Sequence, residues 1–387
     1  MSAVRLDTAL IPGVVARAGV YIEETNMSVR WTNVGMALIL FFAVVTAAAR
    51  ADFMAVEVAE MAKESVVTIE TVSLSLTAVS LTSRQQRIVQ SYDTGLVITK
   101  DGYILTDAAS LEDAEALEVT LGDGRKFDAE TVVQDKGYGL GLIKLKEPPP
   151  DLKVARFALD SPVRQGESVV VVGTAGGYGH TVSYGIISAI RTVRLESGQL
   201  VPDMIQSDVV VNTGNEGSPL FNSNGEVVGI QAVFGGGSAM GMQNVTFFMP
   251  ATLVKKVIDE LIETEEPAFR PWLGIMPYSG SFGMYGLREL SDDLRMYMNL
   301  PDEYWDVGML IYNVWEGSPA YDAGLRYQDF VVKINGELLK SIGQLEKIVY
   351  EAKEGDVLVF GIIRRDRYRD IECEVGDHPE EMLMYYF

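Results

Sequence analysis

The chain has 387 residues, 48% of them hydrophobic, with 37 glycines and 14 prolines, a balance that excludes disorder and fits two or three strand-rich globular domains with many turns. A formal net charge of −22 makes nucleic acid a poor partner, because phosphate binding needs clustered Lys and Arg; the acidity is expected to serve solubility or repulsion from anionic lipid. A single cysteine, Cys373, excludes an intrachain disulfide, and its place in the alternating stretch 369–375 reads as a small buried apolar residue.

In chain order, residues 1–51 read as a leader. The apolar run 34–49 follows Arg30 and ends in Ala49-Arg50-Ala51, the small-x-small pattern of a signal peptide cleaved after Ala51, with Met27 as its start. The run is shorter than the ~20 apolar residues of a transmembrane helix, which favours cleavage over a membrane anchor. Either outcome places the rest of the chain outside the cytoplasm, periplasmic or secreted.

A short amphipathic helix is expected over 54–64. Apolar, β-branched runs at 65–75, 95–99, 117–121 and 140–145 follow, separated by turns such as Lys100-Asp101-Gly102 and Gly122-Asp123-Gly124, which predicts an antiparallel barrel. Pro148-Pro149-Pro150 marks the crossing to a second set at 167–173, 181–191, 206–211 and 227–232. A helix over 251–263 closes it, with Val254, Val257, Ile258 and Leu261 on one face. Residues 264–271 read as a charged, proline-bearing linker.

Between Asn212 and Asn222 the chain reads Asn-Thr-Gly-Asn-Glu-Gly-Ser-Pro-Leu-Phe-Asn. This resembles the nucleophile loop of the HtrA/Deg family of chymotrypsin-fold proteases, with Glu216 where the serine stands. The segment 94–111 resembles the family's histidine-bearing strand-turn-strand and puts Ala109 at the histidine. The segment 135–145 resembles the aspartate region and puts Gly139 at the aspartate. The whole chain holds two histidines, His180 and His378, and neither precedes the first hairpin. His180 reads as a loop or strand-edge side chain and Ser218 as a turn residue, since a serine needs an adjacent base. The oxyanion loop implied by the resemblance comprises Gly214 and Asn215, and a carboxylate on Glu216 would oppose the negative charge it stabilises.

From residue 272 the chain resembles the PDZ domain that follows in that family. The cues are Trp272-Leu273-Gly274-Ile275, resembling the carboxylate-binding loop, then Gly317-Ser-Pro-Ala-Tyr-Asp-Ala-Gly-Leu325, Gln328-Asp329 and Ile334-Asn-Gly336. A peptide would add as an extra strand beside 274–277 while loop N–H groups hold its carboxylate. Leu345, Ile348 and Val349 would line the pocket for its last side chain. By periodicity alone those three are helix residues facing a core. Trp305 and Trp315 read as core or edge aromatics.

The resemblance implies a mainly β fold: two antiparallel six-stranded barrels, trypsin-like, over 52–264, a linker over 265–271, an α+β PDZ domain over 272–377 and a tail over 378–387. With all three triad positions replaced, the chain is expected not to be an enzyme but a pseudoprotease, a scaffold, chaperone-like holder or regulator. Its expected partners are polypeptide C-termini or unfolded segments, with no cofactor and no metal. Alternatives are a regulatory subunit in a mixed oligomer with an active paralogue, since family members resemble trimers, and a hydrolase with relocated residues such as Glu216 and Asp107.

Overall fold

A computed structural model describes residues 55–80, 83–194, 200–211, 215–231, 244–278, 304 and 307–379. The expected leader, Gly214, Trp305 and the tail from residue 380 lie outside them. Among the described residues no helix is long and apolar enough to cross a membrane.

A helical segment over 55–63 leads into six strands: β1 Val66–Ser80, β2 Ser83–Val97, β3 Tyr103–Asp107, β4 Ala114–Thr120, β5 Lys126–Asp135 and β6 Leu140–Leu145. They close into a barrel in the order β1-β2-β3-β6-β5-β4. Alternation along each strand sends one set of side chains inward, so Val67, Ile69, Ile104, Val119 and Ile143 form a sealed core. Each such burial contributes roughly 1.5–3 kcal/mol relative to exposure. β1 and β2 run farther than the runs 65–75 and 95–99 indicate. β4 covers β1 only from Thr68 to Ser73, and β3 covers β2 only at Leu96 and Val97, so the hairpin continues beyond the barrel as a two-stranded ribbon.

The second barrel has β7 Ser168–Gly173, β8 Thr181–Arg194, β9 Leu200–Ser207, β10 Pro219–Phe221, β11 Val227–Gln231 and β12 Thr246–Pro250, closed in the order β10-β11-β12-β9-β8-β7. β9 corrects the expected strand over 206–211. It begins earlier and stops at Ser207, whose hydroxyl donates to the Ile186 carbonyl, while the Asp208 carboxylate takes the Ile186 N–H. The helix Ala251–Thr264 buries Val254, Val257, Ile258 and Leu261 and ends where Glu265 turns left-handed at φ 55°.

The last unit carries a sheet of β14 Ile275–Pro277, β15 Met309–Val314, β16 Phe330–Ile334, β18 Val357–Arg364 and β19 Arg367–Glu374, with β17 Glu337–Leu338 on β16. A short helix Pro319–Ala323 and a longer one Ile342–Glu351 pack on it. Ser318 caps the first by accepting the Tyr321 N–H. Arg364 donates twice to the buried Asp329 carboxylate, at 2.5 and 2.6 Å. Cys373 is buried and free, and burial pushes its thiol up to about 12.

The stretch 264–271 is no loose linker. β13 Pro271–Trp272 pairs with β20 Gly376–Asp377. Ala268 N–H donates to Asp135 Oδ2 at 2.8 Å, and Arg270 Nη1 to Asp135 Oδ1 at 3.3 Å. Both side chains of that ion pair are buried, 2% and 0% exposed. Gly137 makes the room, since a Cβ there would stand 1.8 Å from Arg270 Nη1. The helix Ile342–Glu351 also packs against β9, and the Tyr350 hydroxyl is raised by burial there and by Tyr138 and Asp203.

Candidate functional site

β3 ends at Asp107, and its carboxylate organises the adjoining turn. Oδ2 accepts the N–H groups of Ala109 at 2.8 Å and Ser110 at 3.3 Å, so the chain winds into a single 3-10 turn, Ala109–Leu111. Ala108 N–H donates to the Gly139 carbonyl at 3.1 Å, which brings positions 109 and 139 side by side. The loop 215–218 comes from the second barrel and rests on the end of β3. Gly217 has φ 75°, and a Cβ there would stand 2.8 Å from Asp107 N, so only glycine permits this approach. Ala109, Gly139 and Glu216 are therefore brought together between the barrels, while Gly214 of the expected oxyanion loop lies outside the described residues.

Gly139 has φ 70°, so an aspartate placed there would adopt a left-handed conformation that costs an L-residue about 1–2 kcal/mol. His180 is held elsewhere, its Nε2 donating to the Val66 carbonyl at 2.9 Å. His378 stacks near Trp272, ring centroids 5.3 Å apart, and burial lowers its pKa. Ser218 is buried in the turn, its hydroxyl 3.3 Å from Thr94 Oγ1.

The side chains that do populate this cleft are carboxyls. Asp107 is 2% exposed, and burial above all, then the charges of Asp93 and Glu216, pushes its pKa up to about 7 against the pull of the two N–H groups. Asp93, 8% exposed, is pushed to about 6 by burial and by Glu216, opposed by the Ser91 hydroxyl. Glu216 is half-buried. Among the described residues, Asp107 Oδ1 and Asn215 Oδ1 are buried without a hydrogen-bond partner. Sequence reasoning missed Asp93. Its only signal was a carboxylate set directly before Thr94-Gly95-Leu96-Val97 near the end of an apolar strand. The seam beside it is tied by Thr174, whose hydroxyl donates to the Asp93 carbonyl and whose N–H donates to Thr94 Oγ1, both at 2.9 Å.

In the last unit Gly274, at φ 74°, turns the chain from β13 into β14. Its carbonyl accepts Trp315 N–H at 3.0 Å, and the Leu273 carbonyl accepts Ala320 N–H at 2.9 Å. Among the described residues β14 is the end strand of its sheet, with one edge that carries no described partner strand. Leu273 and Leu345 sit in the core, whereas Ile275, Ile348 and Val349 are half-buried against it. Any Cβ at position 274 would stand 2.1 Å from Ser318 Cβ, so a side chain there disrupts the loop itself.

Residues 93–230 match the family model described as a trypsin-like peptidase domain, and residues 286–375 match that of a PDZ domain; the second match starts beyond the loop 272–275. A probable periplasmic serine endoprotease, DegP-like, of Hahella chejuensis is 33% identical over 292 residues, 76% of this chain and 58% of that protein. Its Chlamydia trachomatis counterpart is 32% identical over 302 residues, 77% and 57%. The chain belongs to the HtrA/Deg family. It spans just under three-fifths of the length of these curated relatives. Among solved structures, the HtrA-type protease AlgW with a decapeptide aligns at a TM-score of 0.68 with 23% identity, covering 84% of this chain and 99% of that one. A serine endoprotease from Yersinia pestis aligns at 0.61 with 22% identity, covering 84% and 97%; both show a shared fold.

These HtrA/Deg relatives overturn the expectation of a chain that is not an enzyme. The curated relatives are named serine endoproteases, and replacement of three side chains does not show that such activity is lost.

Proposed function

We propose that this chain is an extracytoplasmic HtrA/Deg protein that captures polypeptides through its PDZ groove and holds them near the cleft between its barrels. The observation that carries the reading is the position of β14 at the end of its sheet among the described residues, beside the half-buried Ile348 and Val349 and after a loop braced by Ser318. Main-chain bonds to β14 supply affinity and the apolar wall supplies selection. The periplasmic names of the relatives and the decapeptide bound to AlgW support the location and the ligand class.

Peptides with a free apolar C-terminal residue are expected to bind at micromolar Kd, about −8 kcal/mol. Amidation removes the charge held by loop N–H groups and should cost roughly 1.5–3 kcal/mol. Ile348→Glu, at a half-buried position of the helix, is the informative variant, because a side chain at Gly274 would disturb the loop itself. Titration calorimetry checks this, and equal affinity for free and amidated peptides sinks carboxylate capture.

A second reading rests on the carboxyls that share the cleft, with Asp107 buried and its Oδ1 without a hydrogen-bond partner among the described residues. Glu216, as carboxylate, takes a proton from water as its oxygen attacks the peptide carbonyl carbon; Asp107, as carboxylic acid, gives its proton to the departing nitrogen as the C–N bond breaks. Casein hydrolysis by this route is expected to ignore serine-directed fluorophosphonate and to fall about 100-fold or more in both Glu216→Gln and Asp107→Asn, the range of general acid–base contributions. Hydrolysis that fluorophosphonate blocks would exclude it.

A further inference from the structure

The second barrel carries a cavity of about 470 Å³ that shares no residue with the cleft or with the β14 edge. It lies between the segment 158–163 and residues of β8, β9, β11, β12 and the start of the helix Ala251–Thr264. We propose that this cavity binds a small aliphatic amine, its ammonium held by Asp160 and Asp203 and its hydrocarbon chain laid on the apolar wall. The inference does not depend on peptide capture.

The volume falls within the roughly 300–1,000 Å³ of small-molecule sites, which pair an apolar lining with a few polar groups. Val163, Ile190, Val228 and Pro250 contribute to the wall, and Asp160 and Asp203 are the charged side chains among the described residues that line it. Two irregularities of the backbone shape the site. β8 and β9 shift register between Ile187 and Ala189 and again between Arg191 and Val193, and such bulges re-aim side chains. Ile190, between the two shifts, is 41% exposed, whereas Ile205 directly across from it is 1% exposed. Asp203 falls within the second shift at φ 57°, a left-handed conformation rare for a residue inside a strand.

The lining selects the charge of the ligand. An anion would meet two carboxylates and, among the described lining residues, no cation. Tyr350 of the helix Ile342–Glu351 lies within reach of the Asp203 charge, but its hydroxyl, raised by burial, stays neutral and supplies no counter-ion. An ammonium offers charge-assisted hydrogen bonds to both carboxylates. The attached chain covers Ile190 and Leu159, 41% and 43% exposed, and so removes apolar surface from water.

The test uses the full chain with methyl-labelled isoleucine and three six-carbon probes that differ in their head group: hexylamine, hexan-1-ol and hexanoate. Hexylamine is expected to shift the Ile190 methyl signal, assigned with Ile190→Val, at a Kd of ~1 mM. Hexan-1-ol should bind about fivefold more weakly, and hexanoate should leave the signal in place. Asp160→Asn combined with Asp203→Asn should bring hexylamine down to the level of hexan-1-ol; both positions are exposed, and asparagine tolerates the left-handed backbone at 203. Thr252→Trp, at an exposed residue of the lining, should exclude hexylamine with both carboxylates in place. Equal affinity for hexylamine and hexan-1-ol would overturn the ammonium assignment. A hexylamine affinity unchanged in the double variant would reflect only the general attraction of a chain of net charge −22, and no shift of the Ile190 signal with any probe would remove the site altogether.

Discussion

Asp135→Ala is expected to destabilise the docked PDZ unit by about 3–5 kcal/mol, the cost of leaving a buried charge without its partner. The Arg270 guanidinium would remain enclosed, with Nη2 on the His378 carbonyl at 3.2 Å and Nε already without a partner. Arginine cannot shed its proton to escape. Arg270→Met should cost less, because Asp135, raised by burial and still bonded by the N–H groups of Tyr138 and Ala268, can take up a proton instead. Denaturant midpoints, together with cleavage of the 265–271 stretch by an added protease, measure both variants. An equal or reversed order would show that the pair does not hold the unit in place.

Native stability is expected to fall as pH rises from 5 to 8. Asp107 and Asp93 have folded-state pKa values raised to about 7 and about 6 from a reference near 3.8. Their stabilising contribution is therefore complete below about pH 4 and is lost as pH climbs through those values. Between pH 5 and 8 the loss sums to roughly 3–4 kcal/mol, the larger share from Asp107. Asp107→Asn keeps an acceptor for the Ala109 N–H and cannot ionise. It should be less sensitive to alkali and overtake the wild type near neutrality. Denaturant unfolding at the two pH values checks this, and a midpoint that rises between pH 5 and 8 would overturn the account of the cleft.

Strands bounded by Asp-Gly turns were legible because period-two alternation and turn chemistry are local. β6 follows its apolar run residue for residue, and the helix 251–264 follows its apolar face. Where one local signal continued past the structure, reading failed: Val209-Val210-Val211 looks like strand, yet the Ser207 and Asp208 side chains end β9. The ribbon of β1 and β2 was missed because Ser83–Arg87 carries only Ser, Arg and Gln and the adjacent pair Ile88-Val89 gives no alternation. The cleft was legible as positions and not as chemistry. Motif spacing singles out 109, 139 and 216 as expected neighbours, but the shift on Asp107 comes from burial under a loop more than a hundred residues away. Arg270 falls in the stretch read as a charged linker for the same reason, its partner lying 135 residues earlier.

The clasp of β13 with β20 bears on how this protein can be taken apart. Entry and exit of the C-terminal unit meet at one point, with Arg270 N–H on Asp377 Oδ1 at 2.8 Å and His378 N–H on the Arg270 carbonyl. A graft cut at residue 271 would separate Arg270 from Asp377 and carry away half of the joint. Chimeras between relatives should instead be spliced at the end of the helix Ala251–Thr264 and after Pro379, with Asp135 and Gly137 supplied by the receiving barrel. Modularity here is a property of three separated stretches inherited as a set.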